Sequence, residues 1–254
     1  LGTPITLGSV TYTNGAPAGF TLEELSLNAA PRTVYKSDLP LISGGLVAPG
    51  RATYRTVVAA GMIVGADANA VQVLRASLIS ACADRGLEPV AVRWVSDGVE
   101  RELKGFLDGS VEITSTGSHF LSYSFTLICP DPVAQSTTVS NGVLGTSVSN
   151  SGSSEVWPTF SVEFAGTVTS VRVGNSTTGE YLQLDDLPAG VDLEIVTSPG
   201  FEAITLDGVS ILNCLAVTSR FPSLQPGAND VYVTVLSGGG SAAGTLTWHA
   251  GWGE

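Results

Sequence analysis

Apolar and polar residues alternate with a period of two along much of this chain, the spacing of strands with one face buried and the other wet. The clearest run is HFLSYSFTLIC, where Leu121, Tyr123, Phe125 and Leu127 oppose Phe120, Ser122, Ser124 and Thr126. TYRTVVAAGMIVG, residues 53–65, predicts a mostly buried strand with a glycine irregularity. PVAVRWV and VERELKGF flank Ser96-Asp97-Gly98, a strong hairpin signal, because Asp and Gly accept the positive φ of a tight turn. Asp108-Gly109 marks another turn, and ITLGSVTY with Asn14-Gly15 predicts an opening strand and a reversal. One stretch departs from this period. Val71, Leu74, Leu78 and Cys82 recur at helical spacing within 69–85, with Asp67 as N-cap and Arg85-Gly86 as a stop. The apolar stripe is narrow, so this helix should cover one face or end of a sheet.

In the second half, Trp157-Pro158 opens TFSVEFAG, with Phe160, Val162 and Phe164 on one face. VTSVRVGN, EYLQLDDL, DLEIVTS, EAITLDGV and ILNCLAV follow, separated by Gly, Asn, Pro and Asp turn residues. Short strands at this spacing are the signature of a β-sandwich or jelly roll. Near the end, Val231, Val233 and Val235 alternate with Tyr232, Thr234 and Leu236, and Leu246, Trp248 and Ala250 alternate with Thr245, Thr247 and His249. Residues 237–244 between them are too many for a two-residue turn and too glycine-rich for an element interior, which predicts a hairpin with a glycine reversal. Two domains follow, 1–133 and 134–254, divided at Pro130-Asp131-Pro132, which no central strand tolerates. Residues 134–155 read as a linker or as a pair of weak strands. Residues 28–50, punctuated by Pro31, Pro40, Gly44-Gly45 and Pro49-Gly50, are long for a connection. They are functional, an arm reaching a neighbour, or mobile.

Composition narrows the chemistry. The 254 residues include 30 Gly and 13 Pro but only 13% charged side chains, a mixture suited to strands and tight turns. Net charge is −12 and uneven: nine basic and twelve acidic residues up to Val133, two basic and eleven acidic beyond it. The second half therefore repels phosphate backbones, against conventional nucleic-acid binding. Cys82, Cys129 and Cys214 are odd in number and far apart, so small buried thiols in a reducing compartment fit better than disulfides or zinc. No apolar run is long enough to span a bilayer and no secretory leader is recognised.

Candidate catalytic features are few. His119 beside a turn and His249 on the last strand have no nucleophile or carboxylate pattern near them, and no elbow, zinc or Walker motif is present. Gly238-Gly239-Gly240 lacks the Lys and the helix of a phosphate cradle. Asp185-Asp186, with Asp192 and Glu194, can pass for a glycosidase pair or a calcium site, but neighbours on a strand face opposite ways, so solvated turn carboxylates are the plainer reading. Asn175-Ser176-Thr177 matches a glycosylation acceptor, a pattern common by chance. Trp157, Tyr181, Trp248 and Trp252 suit either sugar stacking or core packing. Packing is favoured for Trp157 and Trp248, and Trp252 is the least explained. No catalytic, cofactor-binding or metal-binding residue is assigned.

An ordered set of motifs carries a resemblance. Trp157-Pro158, NSTTGEYL at 175–182, Pro188-Ala189-Gly190, Asp207-Gly208, the FPSLQPGAN turn at 221–229 and the closing Trp248 strand resemble the C-terminal domain of siphophage distal tail proteins. The first half is similar more loosely, through the Pro/Gly-rich arm, Tyr54-Arg55 leading into a strand ending at Gly61, one helix and a meander ending near Pro130. The resemblance implies a mainly β, non-enzymatic virion protein without cofactors. Its N-terminal split β-barrel with one packed helix would form a hexameric ring continuing the tail tube, and its C-terminal half would be a galectin-like sandwich. Implied partners are further copies of itself, the tail tube protein and a tail-associated or baseplate hub protein, with tape measure and receptor-binding proteins as further ones. DNA would only pass through the bore, and no membrane insertion is implied. The implied location is the virion tail tip, after synthesis in the bacterial cytoplasm. Carbohydrate binding through the sandwich is the alternative.

Overall fold

The structure is a computed structural model describing residues 5–7, 10–12, 19–27, 32–38, 45–52, 54–82 and 89–253. The chain divides into two compact units, residues 1–135 with 253–254, and 136–252. Among the described residues it is mainly β with one α-helix.

The first unit contains β1 (Ile5–Leu7), β2 (Val10–Tyr12), β3 (Gly19–Leu27), β4 (Arg32–Asp38), β5 (Gly45–Ala52), β6 (Arg55–Val64), α1 (Ala68–Cys82), β7 (Val90–Ser96), β8 (Val99–Leu107), β9 (Glu112–Ser115) and β10 (Phe120–Cys129). Its sheet runs β8-β7-β1-β2-β3-β6-β10-β9. Long antiparallel ladders join β3, β6 and β10, whereas β2 meets β3 at one pair and β10 returns to β8 at only two, Leu127↔Leu107 and Ile128↔Phe106. The roll is thus split rather than a closed barrel. Its core takes alternate residues: Val57, Ala59 and Ile63 from β6, and Leu121, Tyr123, Phe125 and Leu127 from β10. Each large apolar side chain buried this way contributes about 1.5–3 kcal/mol. The helix adds Val71, Leu78 and Cys82 to that core, with Leu74 partly buried against it. Asp67 caps it, Oδ1 accepting the Ala70 N–H at 2.7 Å. The expected stop at Arg85-Gly86 and the turn at Asn14-Gly15 lie outside the described residues.

Two expectations here are corrected. The opening segment is two short strands, paired Leu7↔Val10, rather than one. Strand β6 also continues past Gly61 to Val64. A Cβ at Gly61 would lie 2.0 Å from the Thr21 carbonyl oxygen and 2.7 Å from the Tyr123 hydroxyl, which itself donates to that carbonyl at 2.8 Å. The glycine is a place of close backbone approach, beside the register shift between Leu22 and Glu24, and not a terminus. The Asp97-Gly98 turn forms as expected, with φ of 53° and 77°. Within the long 28–50 segment, β4 and β5 pair with each other as a separate two-stranded sheet.

The second unit contains β11 (Ala134–Val143), which starts at the boundary, β12 (Ser147–Asn150), β13 (Thr159–Ala165), β14 (Val168–Asn175), β15 (Glu180–Asp185), β16 (Asp192–Val196), β17 (Ala203–Leu206), β18 (Val209–Ser210), β19 (Gly227–Gly238) and β20 (Ser241–Trp252). These form two layers, β18-β17-β16-β13-β20-β11 and β12-β19-β14-β15. Phe160, Val162, Leu193, Ile195, Ile204 and Leu246 of the first layer share a core with Val171, Val173, Leu182, Leu184 and Val231 of the second. The weak segment 134–155 is accordingly two strands. ILNCLAV is not a strand: only a 3-10 turn, Leu212–Cys214, forms there. Its Leu212 and Asn213 are both exposed, which breaks the alternation.

The expected terminal hairpin is also corrected. Strands β19 and β20 are joined by residues 239–240 yet do not pair, because each belongs to a different layer. The glycines make the crossing. Gly240 N–H donates to the Thr167 carbonyl at 2.8 Å. A Cβ at Gly238 would come within 2.4 Å of that same oxygen, and one at Gly240 within 2.7 Å of Ala165 O. Residues 166–167 are the other crossing, from β13 to β14, so two corners nest on one another.

Candidate functional site

The deepest polar groups of the second unit are asparagines. Asn175 and Asn229 are fully buried and Asn150 and Ser223 nearly so. Asn175 Nδ2 donates to Ser223 O at 2.7 Å and to Asn229 Oδ1 at 2.9 Å. Asn229 Oδ1 also accepts the Gln225 N–H at 2.9 Å, while its Nδ2 donates to Gln225 O and Gly227 O at 2.7 and 2.9 Å. Asn150 Nδ2 donates to Ser154 O and Leu224 O, and its Oδ1 accepts the Gly152 N–H. Glu180 Oε2 accepts the Ser223 N–H and hydroxyl at 3.1 and 2.9 Å. The FPSLQPGAN turn and the NSTTGEYL segment are therefore two halves of one clamp. Side-chain amides replace the missing backbone partners of an irregular buried turn, which otherwise cost about 1–3 kcal/mol each. Fully buried and hydrogen-bonded, Asn175 is no glycan acceptor in the folded chain.

The candidate carboxylates do not converge. Asp185 lies on β15, whereas Asp192 and Glu194 lie exposed on β16 in the other layer. Hydrogen bonds from Ser170 and Gln183 hold the Asp185 carboxyl below its ordinary value. Asp186 turns out of the strand with φ 55°. Among the described residues, no three His, Cys, Asp or Glu side chains are grouped to hold a metal. His249 Nδ1 lies 2.7 Å from Ser136 O, and His119 contributes its carbonyl to the Gly65 N–H. Burial pushes the Cys82 thiol up to about 12 and Cys129 to about 11, the latter opposed by Arg55.

Of the aromatic candidates, Trp248 and Trp252 are buried at 5% and 7% exposure, whereas Trp157 is 38% exposed, contrary to the packing expected of it. Trp248 also lines an open cleft of about 550 Å³ with Ser140, Asn141, Thr146 and Ser147 among its walls. A second cleft, about 210 Å³, lies over Tyr181. Arg172 stacks on that ring, Cζ 4.3 Å from its centroid. Segment 215–220 covers the outer edge of β15, through Ala216 N–H to Gln183 O and Arg220 N–H to Tyr181 O. Sequence reasoning missed this strap because its ladder partners lie more than 30 residues away.

The fold is similar to that of a known hub protein. The crystal structure of SPP1 Dit, described as a paradigm of the hub adsorption apparatus in phages infecting Gram-positive bacteria, superposes with a TM-score of 0.73 at 15% identity, covering 98% of each chain. Residues 151–252 match the family model described as siphovirus-type tail component, C-terminal domain. Two structures of the phage p2 baseplate in its activated conformation, with Sr and with Ca, align at 10% identity over 96–97% of this chain, with TM-scores of 0.46 and 0.45. No curated protein sequence matches the chain.

Proposed function

We propose that this protein is the structural hub at the distal end of a long, non-contractile phage tail, without catalytic activity. Six copies close into a ring that continues the tail tube and joins it to the host-adhesion apparatus. The first unit builds the ring, DNA passes through its bore, and the second unit is the galectin-like sandwich. The observation that carries this reading is the match of residues 151–252 to a tail-component family within a chain whose fold follows a hub protein end to end. A heterologous interface closes into a ring when its rotation allows. The β4–β5 hairpin pairs only with itself among the described residues, which suits an arm laid on a neighbouring subunit. The partners proposed are the tail tube protein, a tail-associated or baseplate hub protein, and the tape measure and receptor-binding proteins.

Mass measurement of the purified chain tests the ring: six times 26.0 kDa is expected, and deletion of residues 33–47 should leave a folded monomer. Immunogold labelling of virions tests the location, and label anywhere but the tail tip refutes it. The neutral, polar cleft on Trp248 favours one second reading, recognition of a host carbohydrate by the sandwich. Saturable quenching of tryptophan fluorescence by cell-wall polysaccharide, lost on Trp248→Phe, is its signature.

A further inference from the structure

Between residues 136 and 252 the chain has ten acidic side chains and two basic ones, and both basic ones meet at Tyr181. Arg172 is already engaged: it stacks on the ring, and its Nη2 donates to Gln183 Oε1 at 2.6 Å. Arg220 is not. It lines the 210 Å³ cleft together with Thr178, Gly179, Glu180, Tyr181 and Thr218, its side chain is exposed, and no described residue pairs with it. Glu180, the acid of this cleft, gives Oε2 to Ser223 and forms no ion pair with Arg220. The backbone beneath Arg220 is fixed rather than loose. Its own N–H is bonded to Tyr181 O at 2.8 Å, and Ser219 Oγ accepts the Gln183 N–H at 3.0 Å.

We propose that this cleft binds the phosphate group of a phosphorylated polyol, with Arg220 as the anion ligand and Thr218 beside it. A guanidinium fork matches a tetrahedral oxyanion and is weakly hydrated, so it binds phosphate at little desolvation cost. The volume is below the roughly 300–1,000 Å³ of sites for whole drug-sized ligands, so it holds a head group and not a large molecule. The surrounding carboxylates repel a densely charged strand such as nucleic acid. An isolated phosphate on a neutral polyol avoids that repulsion and still reaches Arg220. Nothing in this inference depends on the tail-hub reading.

The test is a titration of the full chain, labelled with ¹⁵N-arginine, with inorganic phosphate and with glycerol 3-phosphate. Glycerol, and chloride at matched ionic strength, are the controls. A saturable shift of the Arg220 Nε–H resonance is expected with both phosphates and with neither control. Tighter binding of glycerol 3-phosphate identifies a phosphorylated polyol, and equal binding of both means that free phosphate is the ligand and overturns the polyol assignment. Arg220→Gln, which leaves the fold intact because the side chain is exposed, should weaken binding about tenfold or more, and Thr218→Val should weaken it less. A drift with phosphate that matches chloride, or a saturable effect that survives in Arg220→Gln, overturns the proposal.

Discussion

In the first unit the buried faces of β6 and β10 alternate regularly and are apolar from Val57 to Ile63 and from Leu121 to Cys129, with Arg55 at the start of β6 the buried charge, and one glycine sets how closely the strands approach. In the second, the apolar layers are just as regular, but five of the least exposed residues are polar: Asn150, Asn175, Thr197, Ser223 and Asn229. The difference follows from topology. The second unit carries an irregular segment against its core, at 221–225, where Leu224 bridges Val156 and the Ser223 and Gln225 backbone groups turn to the Glu180, Asn175 and Asn229 side chains instead of a ladder. Only side-chain amides, which donate and accept together, can serve both kinds of group.

Several substitutions break or sharpen this contrast. The largest effect is expected from Asn229→Leu, which takes one of its two partners from the Asn175 amide and removes the side-chain partner of the Gln225 N–H and of the Gln225 and Gly227 carbonyls at once. A loss of about 4 kcal/mol is expected. In calorimetry the transition of the second unit falls, while that of the first stays in place. Gly61→Ala does the reverse, forcing the Thr21 and Tyr123 contacts apart and costing about 3 kcal/mol in the first unit. Should either variant lower both transitions equally, the two units do not have separate means of support. Tyr123→Phe keeps the ring and deletes its bond to Thr21 O, for about 1 kcal/mol measured by denaturant unfolding. Asp67→Ala removes the helix cap at a similar cost, again in the first unit alone.

The smallest effect is pH-dependent and belongs to the second unit. Because Asp185 is held below its ordinary value by Ser170 and Gln183, that bonding adds stability above the ordinary carboxylate range. It is lost as pH falls through the lowered folded value. Ser170→Ala should therefore melt slightly earlier than the parent at neutral pH and together with it in strong acid. A gap that widens on acidification would reverse the assignment.

What the sequence made legible was local. The Asp97-Gly98 hairpin, the Asp67 cap and the Leu121 to Leu127 alternation each arise from neighbours within a few residues, and each is where the pattern placed it. Short strands in the second half could be counted from their turns for the same reason. What stayed hidden involves separation in the chain. Asn175 and Asn229 meet across 54 positions, and nothing in either motif alone announces the other. The three glycines at 238–240 looked like a hairpin loop because sequence reports that a chain bends and not which layer it bends into. Trp157 sits in an alternating context yet is half exposed, since alternation fixes a face and not how well that face is covered.

The position of β20 has a consequence for how this molecule comes into being. It is the last strand in chain order but lies inside its layer, between β13 and β11. During synthesis, β13 and β16 can already zip together while the slot beside them stands empty. Until residues 241–252 leave the ribosome, that slot exposes a raw strand edge of the kind that invites pairing with another nascent chain. The second half therefore cannot close until this strand has emerged, and it closes in one late step.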